Sequence, residues 1–317
     1  MPTTSMYSIL LKKENAHDDP IYTCAWVKTN TTGNPNDIAK DFIVTGGLDG
    51  LVKIWLFNNN KLNLVHNLVG HSMAVVSVAV SPDGYTIASS SLDSSIIIWD
   101  LVSGNKVYEV QTGATETWKV TFSPSGTQIA SGGHTGKIII YSVEKGKPDK
   151  ILDTRGKFAL SVAWSADGKY IASGAMDGTV SIMDVAQGKL LHTIEAHTQS
   201  VRSVAFSPNS QLLTTASNDG NVKIYNVASA NPQSKLLHNT WALCANISSD
   251  GTRVATAAAD GRVRVAQLDG LKVLNEFHEH TDTVWCLQFN ASGDKLVSVS
   301  KDKCINIYEC PLPPKKR

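Results

Sequence analysis

One frame recurs along the whole chain: an aspartate followed six positions later by a tryptophan or the residue standing in for it. Asp49 leads Trp55 and Asp93 leads Trp99, then Asp177 leads Met183, Asp219 leads Tyr225, Asp260 leads Ala266 and Asp302 leads Tyr308. Thr135 leads Tyr141 in the copy without aspartate, and successive anchors lie 44, 42, 42, 42, 41 and 42 residues apart. A second anchor runs in phase at His17, His71, His197, His238 and His280, with Gly113 and Arg155 in the third and fourth copies. A hydroxyl stands four positions before every Asp or Thr anchor, at Thr45, Ser89, Ser131, Ser173, Thr215, Thr256 and Ser298. Sustained periods of this length belong to architectures in which one supersecondary unit is repeated and each copy buries its apolar face against the next.

The regularity decides between two readings of the Ser/Thr, His and Asp residues. Catalysis needs one nucleophile and one base, whereas this set returns at fixed spacing through the chain. It is read as a hydrogen-bonded brace that satisfies buried polar groups in each repeat. Within a copy the runs are β-like: VVSVAVS, TIASSS and SIIIWD are short, rich in β-branched residues and separated by Pro-Asp-Gly or Asp-Gly turns. A repeat of this length leaves room for four strands of about five to six residues with short connections. No comparably long segment has a 3.6-residue period, so the class is all-β. The polar stretch 28–41, with Gly33 and Pro35, lengthens the first copy and reads as an exposed loop.

Composition narrows the function classes. The 317 residues are 42% hydrophobic and 18% charged with a formal net charge of +1, which lacks the basic stripe expected of a nucleic-acid-binding domain. Aromatic residues are 7% of the chain and are not interleaved with a basic groove of the kind that binds single strands. No apolar run approaches the roughly 18–20 residues needed to span a membrane, and the N-terminal MPTTSMYSILLKK does not read as a signal peptide. Cys24, Cys244, Cys286, Cys304 and Cys310 contain no CxxC pair, and four of them fall in strand-like runs. They read as buried reduced thiols, in keeping with a reducing compartment. Asp18 and Asp19 beside His17 lack a third spaced ligand, so no metal is expected. No glycine-rich loop precedes a helix, so no nucleotide cofactor is expected either. The closing PLPPKKR (311–317) reads as a flexible basic tail, with Lys315, Lys316 and Arg317 as a candidate nuclear-import signal.

These repeats resemble the WD-repeat family over essentially the whole chain. The resemblance implies a β-propeller of four-stranded antiparallel blades, here seven blades in one domain spanning 1–317. The family's brace is complete at His17, Thr45, Asp49 and Trp55 and at His71, Ser89, Asp93 and Trp99, with Tyr for Trp in the fifth and seventh copies. The seventh copy shows only three strand-like runs, ending at INIYEC. The N-terminal MYSILLKK, residues about 6–13, is therefore expected to supply its missing outer strand and to close the ring.

Finer segments are similar to the WD-repeat subunits of the superkiller (Ski) complex: ILDTRGKFALSVAWSADGKYIASGAMDG (151–178), GKLLHTIEAH (188–197), FSPNSQLLTTASNDGNVKIY (206–225), the opening ENAHDDPIYTCAW and the ending YECP. The replacement of the usual Gly-His by RGKF belongs to this likeness. It implies a non-catalytic, monomeric propeller that binds a tetratricopeptide-repeat subunit and, through it, a helicase, supporting exosome-mediated 3′-to-5′ cytoplasmic mRNA decay. It also implies a place in the RNA polymerase II-associated factor complex, in transcription elongation and histone modification, and hence a presence in both nucleus and cytoplasm. The competing reading is a substrate adaptor of a ubiquitin ligase or a histone-peptide reader, and an enzyme of propeller fold is a further alternative.

In propellers of this family the top face is lined by residues three and five beyond the His anchor and by the residue before the Asp. In this chain those positions include Tyr22, Leu48, Leu92, Trp118, His134, Phe158, Leu160 and Met176. They continue with Arg202, Asn218, Trp241, Leu243, Trp285 and Lys301. Aromatic and arginine side chains at a patch centre are frequent binding anchors, so a short partner segment is expected to dock there.

Overall fold

A run such as Ile96-Ile97-Ile98-Trp99 shows why the chain adopts this architecture. Alternate residues of a strand point to opposite faces, and an unbroken apolar run therefore demands cover on both. The computed structural model, which describes residues 6–30, 38–112 and 117–313, supplies it. Ile96 and Ile98 pack with Val120, Phe122 and Ile129 of the following repeat, while Ile97 and Trp99 pack with Val44, Val52 and Ile54 of the preceding one.

Among the described residues, 28 strands form seven four-stranded antiparallel sheets, and there is no helix. Six sheets are sequential meanders: Ile21–Leu68, Val75–Gln111, Thr117–Asp153, Ala159–Glu195, Val201–Leu237 and Ala242–Phe277. The buried apolar side chains fall into seven clusters, each shared between two adjacent blades. The fold is the expected seven-bladed propeller. In the seventh blade Val284–Phe289, Lys295–Ser300 and Ile305–Glu309 are joined by the N-terminal strand Ser8–Lys13. Ser8 lies opposite Glu309 and Lys13 opposite Ile305, so the N-terminal strand closes the ring.

Several sequence expectations are corrected. The first-blade strands run Ile21–Thr29 and Lys40–Gly47, so both ends of the stretch read as a loop are strand, and only 30–39 connects them. Gly33, Pro35, Gly113, Lys315, Lys316 and Arg317 lie outside the described residues. Three cysteines rather than four sit within strands; Cys304 and Cys310 flank Ile305–Glu309. All five are free thiols.

The brace forms in four blades. His17 Nε2 lies 2.8 Å from Thr45 Oγ1 and its Nδ1 lies 2.9 Å from Asp49; the same set recurs at His71, His197 and His280. Trp55 and Trp99 complete it by donating their indole N–H to Thr45 at 2.9 Å and Ser89 at 2.8 Å. The two tyrosine replacements differ. Tyr308 shares a 3.2 Å hydrogen bond with Ser298, but Tyr225 donates instead to the Ala196 carbonyl. The sixth blade, where Ala266 stands in the tryptophan position and weaker bracing is expected, lacks the brace. Arg264 donates to His238 Nδ1 and binds Asp260 and Glu276, and the hydroxyl of Thr256 is left without a partner.

Candidate partner-binding site

The innermost strand of every blade carries a β-bulge at the same place. The register of pairing slips around Tyr22, Val76, Trp118, Leu160, Arg202, Leu243 and Trp285. In each case this is the residue five beyond the His anchor. A bulge leaves one residue unpaired and re-aims its side chain. Here it turns seven side chains, one per blade, onto a single cavity of about 240 Å³, and all seven line it. Leu92, from the turn carrying Asp93, joins them. The cavity therefore opens toward the face that bears the Asp-containing turns.

The next residue along six of the seven inner strands links neighbouring blades. The hydroxyls of Thr23, Ser77 and Ser203 accept the backbone N–H groups of Val78, Val120 and Ala245 at 3.1, 3.3 and 3.3 Å. These bonds satisfy the outward N–H groups of a strand that has no further partner strand on that side. Cys244 and Cys286 stand at this position in the sixth and seventh blades and donate to the carbonyls of Leu287 and Cys24. In the third blade it is Lys119, whose ammonium group makes no hydrogen bond or ion pair with any described residue. Lys119 lines both the upper cavity and the channel of about 520 Å³ beneath it, which is walled by inner-strand residues of all seven blades.

The fourteen residues expected at the top face do not form one patch. Tyr22, Leu92, Trp118, Leu160, Arg202, Leu243 and Trp285 meet in the upper cavity. Leu160 and Leu243 are buried and serve as its wall. His134, Phe158 and Met176 line a second, shallower hollow over the third and fourth blades. Asn218 and Trp241 line a third over the fifth and sixth. Lys301 pairs with Asp282 at 3.1 Å, and Leu48 is exposed on the rim. The first two places are joined by aromatic contact, since Trp118 meets Phe158 edge-on at 5.9 Å and Phe158 meets His134 at 5.4 Å. Tyr22 and Trp285 form a second edge-on pair at 5.4 Å. Trp241, half exposed, stands apart from both.

Val76, Lys119, Ser203, Cys244 and Cys286 also line the cavity and were not among the expected residues. Val76 obeys the same five-beyond rule. The other four follow directly after bulge residues, so their spacing was available, but the bulge that brings two consecutive side chains toward the axis was not.

Electrostatics mark one side of the cavity. Arg202 donates from Nε to Asn218 Oδ1 at 3.0 Å, and burial holds its pKa below the usual arginine value. No Asp or Glu lines the cavity. No group of three or more His, Cys, Asp or Glu side chains suited to a metal ion occurs among the described residues.

Comparison with known proteins gives the lineage of this ring. The family described as IFT122 first beta-propeller matches residues 43–309, and the WD domain, G-beta repeat, matches residues 9–55. The WD repeat-containing protein SL1-17 of Schistosoma mansoni is 33% identical over 115 residues, covering 36% of this chain and 36% of that protein. The WD repeat-containing protein VIP3 of Arabidopsis thaliana is 34% identical over 105 residues, covering 33% of this chain and 30% of that protein. The small ribosomal subunit protein RACK1y of Oryza sativa subsp. japonica is 42% identical over 81 residues, covering 26% and 23% respectively. The alignments thus span about a third or less of these relatives' length. With its repeat frame, seven four-stranded blades and a family match over most of its length, the chain belongs to the WD-repeat family, with a β-propeller of the IFT122 first-propeller type.

Proposed function

We propose that the protein is a non-catalytic interaction scaffold, the WD-repeat subunit of a Ski-type mRNA-decay assembly, which docks a partner segment over the bulge-lined cavity. The observation that carries the docking reading is the convergence of seven bulged side chains, three of them aromatic, on one open cavity. Aromatic anchors around a concave apolar site are the usual energetic centre of an interface. The assignment to a Ski-type assembly rests on the likeness of 151–178, 188–197 and 206–225 to that subunit type. The partner is then a tetratricopeptide-repeat subunit that also carries a helicase. A second residence, in the RNA polymerase II-associated factor complex, goes with the same likeness, as does a distribution between cytoplasm and nucleus.

Affinity purification of the tagged full chain from its native cells, read by mass spectrometry, tests the assignment. Recovery of a helicase and a tetratricopeptide-repeat protein in stoichiometric amounts supports it. Recovery of cullin-associated adaptors in their place transfers the protein to the ubiquitin-ligase reading.

A further inference from the structure

Of the seven bulge residues in the upper cavity, six are apolar or aromatic and one is Arg202. Beyond its bond to Asn218, the Arg202 guanidinium makes no hydrogen bond and no ion pair among the described residues. Lys119, at the floor, makes no hydrogen bond or ion pair with any described residue either, and its charge acts on the neighbouring thiols of Cys24, Cys244 and Cys286. Trp285, which lines the cavity from the seventh blade, has a buried indole N–H without an acceptor. All three groups are donors that cannot accept, and no carboxylate offsets them. Arg202 and Lys119 are half-buried around an open cavity, so an acceptor that enters it meets donors with free hydrogen-bonding capacity.

We propose that the upper cavity is an anion-accepting pocket for an acidic–apolar peptide segment. A Glu or Asp carboxylate would sit against Arg202 and Lys119, and an adjacent apolar side chain would lie on Trp118 and Leu160. The proposal rests on the docking reading above and adds the chemistry of the occupant. The walls favour a peptide over nucleic acid. The cations lie inside a small pocket framed by apolar side chains, not along a stripe that could follow a phosphate backbone. The cavity of about 240 Å³ suits one or two side chains of a chain crossing the ring mouth.

The test uses random dodecapeptides displayed on phage and selected on the intact protein, followed by titration of the synthetic winners. The selected peptides should share an Asp or Glu next to Leu, Phe, Met or Trp. Exchanging that acid for its amide should weaken binding about tenfold or more, the usual loss for a charged hydrogen bond. The same exchange should have little effect on Arg202→Gln, and Lys119→Met should share part of that loss. Winners with uncharged or basic consensus, winners indifferent to Arg202→Gln, or no winners at all overturn the anion-accepting pocket. The two readings fail separately. Uncharged winners whose binding is lost in Trp118→Ala leave the docking face standing, whereas acidic winners that ignore Trp118→Ala move the docking face elsewhere.

Discussion

His238 illustrates how one residue can keep its place in a repeat and change its chemistry. In four blades the equivalent histidine faces an aspartate and a hydroxyl. Here Arg264 occupies Nδ1, and the sequence frame alone marked only the missing tryptophan at Ala266. The exchange depends on a contact across 26 residues and on Glu276 from the outer strand, which spacing does not reveal. Burial, reinforced by the Arg264 charge, pushes the His238 pKa down to about 4. An unfolded histidine titrates near about 6.5. Between these values the unfolded chain binds a proton that the folded chain refuses, so stability present above about pH 6.5 is lost as pH falls toward 4, on the order of 3 kcal/mol. Burial also lowers the pKa of His71 and His197, despite Asp93 and Asp219, and adds to the same slope. Thermal melts of wild type and His238→Gln across pH 4 to 7 check this: the variant is expected to lose less stability over that range, and parallel curves would contradict the assignment.

Strands and turns were the most legible elements, because alternation, β-branching and Asp-Gly pairs act locally. The continuous apolar runs announced two-sided burial. The bulges were not legible, since a register slip is set by how the inner strand packs around the axis and leaves no composition signal. Turn chemistry gives a sharp test at this scale. Gly178 has φ +92°, and a Cβ there would lie 2.1 Å from the His197 carbonyl oxygen; Gly168 has φ +75° but nothing within 4 Å. Replacing either by alanine forces an L residue into the left-handed region, at a cost of about 1–2 kcal/mol. Only Gly178→Ala adds a backbone clash, so it is expected to be destabilised by more than about 2 kcal/mol and to exceed Gly168→Ala in denaturant unfolding. Equal midpoints for the two variants would show that the His197 loop yields without strain.

At the scale of the molecule, seven interfaces of one kind leave a single place where the chain must meet itself. The N-terminal strand Ser8–Lys13 fills it, and Trp26 N–H donates to Gln288 Oε1 at 3.0 Å across the same seam. Closure was readable in the sequence because the seventh repeat lacked a strand and the N-terminus offered an unpaired one. Removing residues 1–13 exposes the edge of Ile305–Glu309 and takes away the contacts of the partly buried Leu10 and Leu11 with the first–seventh blade core. A melting temperature lower by several degrees is expected, the order produced by about 1 kcal/mol or more, together with aggregation visible by light scattering. Unchanged melting would contradict closure by this strand. The central claim is that a partner docks on the face where the bulge ring opens. Its aromatic anchors, Trp118 and Phe158, are half-buried and meet edge-on. The most direct measurement is therefore partner pull-down by Trp118→Ala and Phe158→Ala, each first shown by thermal melting to be folded. Loss of about 2 kcal/mol or more of binding with the fold retained is the predicted result; normal capture by both folded variants would contradict the claim and place the interface elsewhere on the ring.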